Sequence, residues 1–146
     1  MASSRRDITS ANATAVYTLN LFPAGIKLEQ FSADGAWSHD NYETVGTVMG
    51  VDGHMSAGYT PVEKEVTFHF QPNSPTIEKL NVVWQTVEVS KTPLWGNIVI
   101  KCPSIKTQYV LANVVLVNYK LMPSAARMLE PVDATFRCES ITAMPL

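Results

Sequence analysis

The chain has 146 residues, 46% of them hydrophobic and 16% charged, with thirteen acidic side chains against eleven Lys and Arg and a formal charge of −2. That length suits one globular domain that buries roughly 68–70% of its unfolded surface without a disulfide or metal staple, and the missing basic excess argues against a nucleic-acid reader. The charged fraction lies below the roughly 25% of an average soluble domain, which points to surface that other copies cover.

Residues 1 to 12 read as a loose N-terminal arm without the apolar core of a signal peptide, and no apolar run approaches the roughly 18 residues of a membrane span, so synthesis in the cytoplasm is expected. "AVYTLNL" at 15–21 and "GIKLEQFSA" at 25–33 read as a hairpin around "FPA", with Pro23 stopping the first strand. After the polar stretch "DGAWSHDNYE" comes "TVGTVMGV" at 44–51, a strand whose Gly46 and Gly50 imply a bulge or a close backbone approach. Residues 51 to 63 then read as a long loop.

"KEVTFHFQ" at 64–71 alternates most clearly, with Val66, Phe68 and Phe70 on one side and Glu65, Thr67 and His69 on the other. "PNSPTIEKLNVVWQTVEVS" changes the period to 3.6. Asn73 or Ser74 caps a helix over 74–89, Pro75 takes its first position, and Ile77, Leu80, Trp84 and Val87 form its buried stripe. "NIVIKC" and "TQYVLANVVLVNYKLM" at 107–122 resume the sheet, the second apolar enough to be central and covered on both faces. "PVDATFRCES" alternates again, with Asp133, Thr135, Arg137 and Glu139 opposite an apolar set. The fold class expected is mainly β: a sandwich or barrel of about seven strands with one amphipathic helix, in a single domain spanning residues 1 to 146.

Chemistry is hard to find in this pattern. His39, His54 and His69 have no metal-ligand spacing, Cys102 and Cys138 read as small buried hydrophobes, and no nucleophile elbow, P-loop or dinucleotide fingerprint is present. No catalytic residue, metal or cofactor is expected. The polar strand faces collect Lys27, Glu29, Glu65, Thr67, His69, Asp133, Thr135, Arg137 and Glu139. On a monomer that set is a solvated sheet face; in a ring it would line a pore.

The order of elements, together with "QPNSP" leading into the helix and the late strands "LANVVLVNYK" and "EPVDATFRCES", resembles the tail tube proteins of tailed bacteriophages, especially the short single-domain ones of contractile tails. The resemblance implies a hexameric ring whose subunits pair edge to edge into a continuous inner β-barrel, with rings stacked into a tube that conducts the genome from capsid to host. It implies an assembly loop at 51–63, carried by Asp52, Met55, Tyr59 and Pro61, and a lumen lined by the nine polar-face residues. The partners implied are further copies of the chain, sheath, baseplate, tape-measure and tail-terminator proteins, and DNA in non-specific transit, with no membrane. The place implied is the tail of a virion made in a host cytoplasm. Two alternatives stand beside it: a baseplate or tail-completion protein of the same fold, and a carbohydrate-binding sandwich that uses Trp37, Tyr42 and Trp95 as platforms.

Overall fold

The structure is a computed structural model, and it describes residues 12–32 and 35–146. The expected N-terminal arm therefore lies, but for its last residue, outside the described residues.

Seven strands form one antiparallel sheet: β1 (Thr14–Leu19), β2 (Phe22–Leu28), β3 (Trp37–His39), β6 (Lys64–Phe70), β7 (Gly96–Cys102), β8 (Thr107–Tyr119) and β9 (Val132–Pro145), in the order β2-β1-β7-β8-β9-β6-β3. A second, two-stranded sheet pairs β4 (Val45–Met49) with β5 (Met55–Tyr59), and the helix α1 runs Pro75–Ser90. The mainly β class with one helix is as the sequence implies.

The large sheet curls until its ends meet. The chain pairs with β1 through β2, turns at Gln30, and then runs antiparallel along β6: the Ser32 amide donates to the His69 carbonyl at 2.8 Å, the Gln71 amide to the Gln30 carbonyl at 3.0 Å, and Trp37 faces Phe68. Gln30 adopts a left-handed φ of 56°, a region costly for a residue with a side chain, and its amide group donates to Asn73 Oδ1 at 2.8 Å across the corner. The result is a barrel with its core inside. Tyr17 of β1 meets Phe136 of β9 with ring centroids 5.1 Å apart, and Phe136 meets Phe68 of β6 at 5.6 Å, all three rings being buried.

The strict alternation of β1, β6 and β9 fixes which side is core, because a shift of one residue would expose every apolar side chain at once. Three readings need correction. The first turn is Asn20–Leu21 and not "FPA", since Leu19 faces Phe22; Pro23 sits inside β2, an edge strand next to β1, where a missing amide costs little. The segment "TVGTVMGV" supplies a strand of the small sheet and no part of the large one. Strand β8 is central, as expected, but only one face is covered: Leu111, Val114, Leu116 and Tyr119 are buried, whereas Val110, Val115 and Val117 remain half-buried on the outside.

Ser74 caps α1, accepting from the Thr76 amide at 3.3 Å while its hydroxyl donates to the Glu29 carbonyl at 2.7 Å, and Thr76 donates to the Lys27 carbonyl at 2.7 Å. These bonds tie the start of the helix to the end of β2. Thr76, Ile77, Leu80 and Val83 are its buried residues. Trp84 and Val87, expected in the buried stripe, are only half-buried, and the Trp84 ring lies beside Tyr119 with centroids 6.1 Å apart.

The core can be probed in two ways. Leu80→Ala is expected to cost about 2–5 kcal/mol in urea unfolding and Trp84→Ala less than Leu80→Ala, the order that burial dictates; the reverse order would put Trp84 at the centre of the stripe. The other probe is alkaline pH. Burial pushes the Tyr17 and Tyr119 hydroxyls from the ordinary 10.0 up to about 12, so their contribution is intact below pH 10 and is lost as pH rises from 10 towards 12, where the unfolded chain ionises first. The Tyr17 hydroxyl is buried with no hydrogen-bond partner among the described residues, whereas that of Tyr119 donates to Asn81. Tyr17→Phe should therefore hold or raise neutral stability, by up to about 1 kcal/mol, and remove part of the alkaline loss; a loss of several kcal/mol at pH 7 would show that the hydroxyl is satisfied.

Candidate assembly surface

The segment 51–63 is not a loop throughout. Its middle is β5, which pairs with β4 from Val45 opposite Tyr59 to Met49 opposite Met55, so residues 45 to 59 form a projecting hairpin. The tip is built by local chemistry: Asp52 Oδ1 accepts from the His54 amide at 3.2 Å, the Gly50 amide donates to the His54 carbonyl at 2.7 Å, and Gly53 takes a φ of 88° that side chains resist. Asp-Gly between two short apolar segments was the available signal, and it marks a hairpin more than a loop.

Every residue of this hairpin is exposed, on both faces. Val48 is 71% exposed, Met49 65%, Met55 62% and Tyr59 72%, and Val51 at the tip is fully exposed. A lone two-stranded ribbon is at best marginally stable in water, and a contiguous apolar surface of this kind marks an interaction site. The root is fixed. The Thr60 amide donates to the Thr44 carbonyl at 2.7 Å, and the buried Lys64 donates to the Glu139 carbonyl at 3.1 Å while its ammonium lies 5.2 Å from the Tyr42 ring centre. Asp52, Met55, Tyr59 and Pro61 are all exposed, the first three on the hairpin and Pro61 at its root; the sequence reading missed Val45, Val48, Met49 and Val51.

The outer face of the large sheet has two parts. On β6 and β9 the polar residues form a cross-strand ladder: Arg137 Nε donates to Glu65 Oε2 at 3.0 Å, Thr67 and Thr135 hydroxyls are 3.2 Å apart, and His69 Nδ1 lies 2.6 Å from Asp133 Oδ1. Glu63 adds a second carboxylate 3.5 Å from Arg137, and Glu139 accepts from Asn113. Lys27 and Glu29 are not part of this ladder. They lie at the end of β2, beside the corner at Gln30 where the sheet closes onto β6, and pair loosely with each other at 3.9 Å. Across β1, β7 and β8 runs a row that alternation alone could not align: Val16 of β1 faces Val99 of β7, which faces Val110 of β8. The nine residues assigned to one polar face thus fall into two groups, the β6–β9 ladder and the pair at the end of β2, and the outer face also carries a row of valines.

The remaining singled-out residues play smaller parts. Trp37 packs on the core beside Phe31 and Phe68, whereas Tyr42 and Trp95 are exposed. His39 Nδ1 lies 2.8 Å from the Glu65 carbonyl, and His54 sits at the hairpin tip, so the three histidines occupy three separate places. Cys102 is half-buried and Cys138 buried, both as free thiols that burial pushes up from the ordinary range. Among the described residues no helix is long and apolar enough to cross a membrane.

A family model described as Tail fiber protein gp32 matches residues 6–142. No curated protein matches the sequence. Among solved structures, a chain of the cryo-EM structure of the anti-feeding prophage cap, the AFP tube terminating cap, is similar over 100% of this chain and 96% of its own, with a TM-score of 0.61 at 11% identity. A chain from the 6-fold symmetrised baseplate of the same prophage is similar over 99% of this chain and 98% of its own, with a TM-score of 0.59 at 14% identity. A third, from the sheath/tube terminator of the PVC extracellular contractile injection system in its extended state, covers 97% of this chain and 99% of its own, with a TM-score of 0.61 at 10% identity. At such identities the likeness is one of fold.

If the hairpin is surface with no role in the subunit's own core, Val48→Asp should change the unfolding free energy of the isolated subunit by no more than about 0.5 kcal/mol. A larger loss would mean that the hairpin packs on its own barrel.

Proposed function

The chain belongs to the family of Tail fiber protein gp32, and from that premise we propose that it is a structural subunit of a phage-tail-like particle, assembling as a hexameric ring of the tail tube. One observation carries the reading: the β4–β5 hairpin holds Val45, Met49, Met55 and Tyr59 exposed on one face and Val48 on the other, and it is left uncovered by the described residues of its own chain. Such a ribbon gains stability only when neighbours bury it, so assembly is part of the subunit's own energetics. The likeness in fold to chains from a tube terminating cap, a baseplate and a tube terminator supports a place on the tube axis. The role proposed is a conduit, with no catalysis and no cofactor, and with sheath, baseplate, tape-measure and terminator proteins as neighbours.

A second reading has its own support. Rings that close a tube or seat it on a baseplate need the same side-to-side contacts but stack once, and the solved structures of similar fold include a cap and a terminator. The family description names a fibre, which would require an elongated shaft; the described chain is instead a barrel with one short projection.

Replacing residues 46 to 58 with a short Gly-Ser link should leave a folded monomer that makes no ring. Solution mass and negative-stain images are the readout: the intact chain should give rings or tubes, single rings without tubes would favour the cap reading, and shafts would favour the fibre. Rings formed by the truncated chain would overturn the role of the hairpin. The channel is tested separately. In assembled tubes, Glu65→Lys with Asp133→Lys should add salt-dependent DNA retention if the β6–β9 ladder faces the lumen; intact tubes that gain none would place that ladder elsewhere.

A further inference from the structure

We propose that the apolar cavity at the open mouth of the barrel is the seat for the hairpin tip of a second copy of the chain. The inference rests on the assembly reading above and adds the place where the tip is received.

The cavity measures about 310 Å³ and is lined by Trp37, Val66, Ile100, Cys102, Tyr109 and Leu111, among others. The exposed His39 is the one basic side chain among the lining residues. The six named first come from β3, β6, β7 and β8, on the side that elsewhere in the barrel is filled core. Among the described residues the interior runs short of side chains here: Val66, Ile100 and Leu111 are buried, whereas Trp37, Cys102 and Tyr109 are only half-covered. The chain's own hairpin does not fill the gap, since all of residues 45 to 59 are exposed although the hairpin springs from the neighbouring ends of β3 and β6.

The tip offers what the cavity lacks. Val51 is fully exposed at the apex, and behind it Met49 and Met55 face each other across the strands. Methionine is flexible enough to fill an irregular gap, and its thioether gains from contact with an aromatic ring, which Trp37 and Tyr109 supply. The tip carries Asp52, and Lys106 follows the lining Ile105 in sequence. An apolar small molecule would match the lining but would leave the tip uncovered. A second copy covers both surfaces at once, and the hairpin's fifteen residues supply a large part of the roughly 20–30 residues a stable interface needs on each side. Tip and seat are different patches, so the contact is head-to-tail and either closes into a ring or continues as a stack.

Cys102 makes the seat measurable in the intact protein, because its free thiol lines the cavity. Alkylation of Cys102 by iodoacetamide, read by peptide mass, is expected to be about tenfold slower or more in assembled protein than in monomer, since a seat filled about nine-tenths of the time leaves the thiol open for about a tenth of it. Val51→Cys, at a fully exposed position, should form a disulfide with Cys102 of a neighbour on addition of diamide. The two thiols lose two protons and two electrons in forming the S–S bond, and diamide takes up both to become the hydrazine. Assembled protein whose Cys102 reacts as fast as in the monomer, or an assembled Val51→Cys variant in which no chain becomes linked through Cys102, would overturn the seat and leave the assembly reading standing. A chain that stays monomeric at every concentration would overturn both.

Discussion

Everything in this molecule depends on how the barrel closes. A single run of chain pairs with β1 through residues 22 to 28 and with β6 through residues 30 to 32 and 36 to 39, so it serves as the edge partner of both ends of the sheet. Without that double service the sheet would present two open edges, each a row of unpaired amides and carbonyls ready for indiscriminate pairing. Closure comes at Gln30, whose left-handed backbone turns the corner and whose side chain is anchored on Asn73 just before the helix. The same corner places the Lys27 and Glu29 carbonyls where Thr76 and Ser74 can donate to them. Barrel and helix are therefore fixed by one junction.

Closure also decides what is left over. Once β6 has taken residues 30 to 32 and 36 to 39 on one side and β9 on the other, the chain between β3 and β6 has no edge on which to pair. It pairs with itself and stands out from the barrel. The inner face keeps the large rings, Tyr17, Phe68 and Phe136, and the outer face keeps what alternation assigns to it. Because β1, β7 and β8 are neighbours in the sheet but distant in sequence, their outward valines line up only in three dimensions.

The parts that were readable in the sequence were those governed by local period. Val66, Phe68 and Phe70 announced a half-buried strand, Val132, Ala134, Phe136 and Cys138 announced another, and Pro75 with its preceding polar residues announced the helix start. The parts that were not readable depend on distant pairing. Strand β3 has only three residues, and its existence is dictated by β6. The hairpin reads as a strand followed by a loop because five residues with an exposed glycine on each side carry no alternation. Trp84 reads as part of the buried helix stripe because of its spacing from Ile77 and Leu80, whereas it is only half-buried, with its ring beside Tyr119. Which polar residues share one face is hidden for the same reason, since sheet order cannot be read from strand pattern.

One rung of the hairpin has no side chains at all, for Gly46 stands opposite Gly58 just above the root. A cross-strand pair stiffens a ribbon through the contact of its side chains, and this rung has only hydrogen bonds to resist bending and twisting. The root below it is held by Thr44, Thr60 and Lys64, and the tip beyond it by the Asp52 turn. The ribbon is thus two firm pieces joined by a soft collar. A swivel at that level lets one barrel meet neighbours at different angles while its own strands keep their register, so curvature can be absorbed at the joint and the walls of the barrel need not deform.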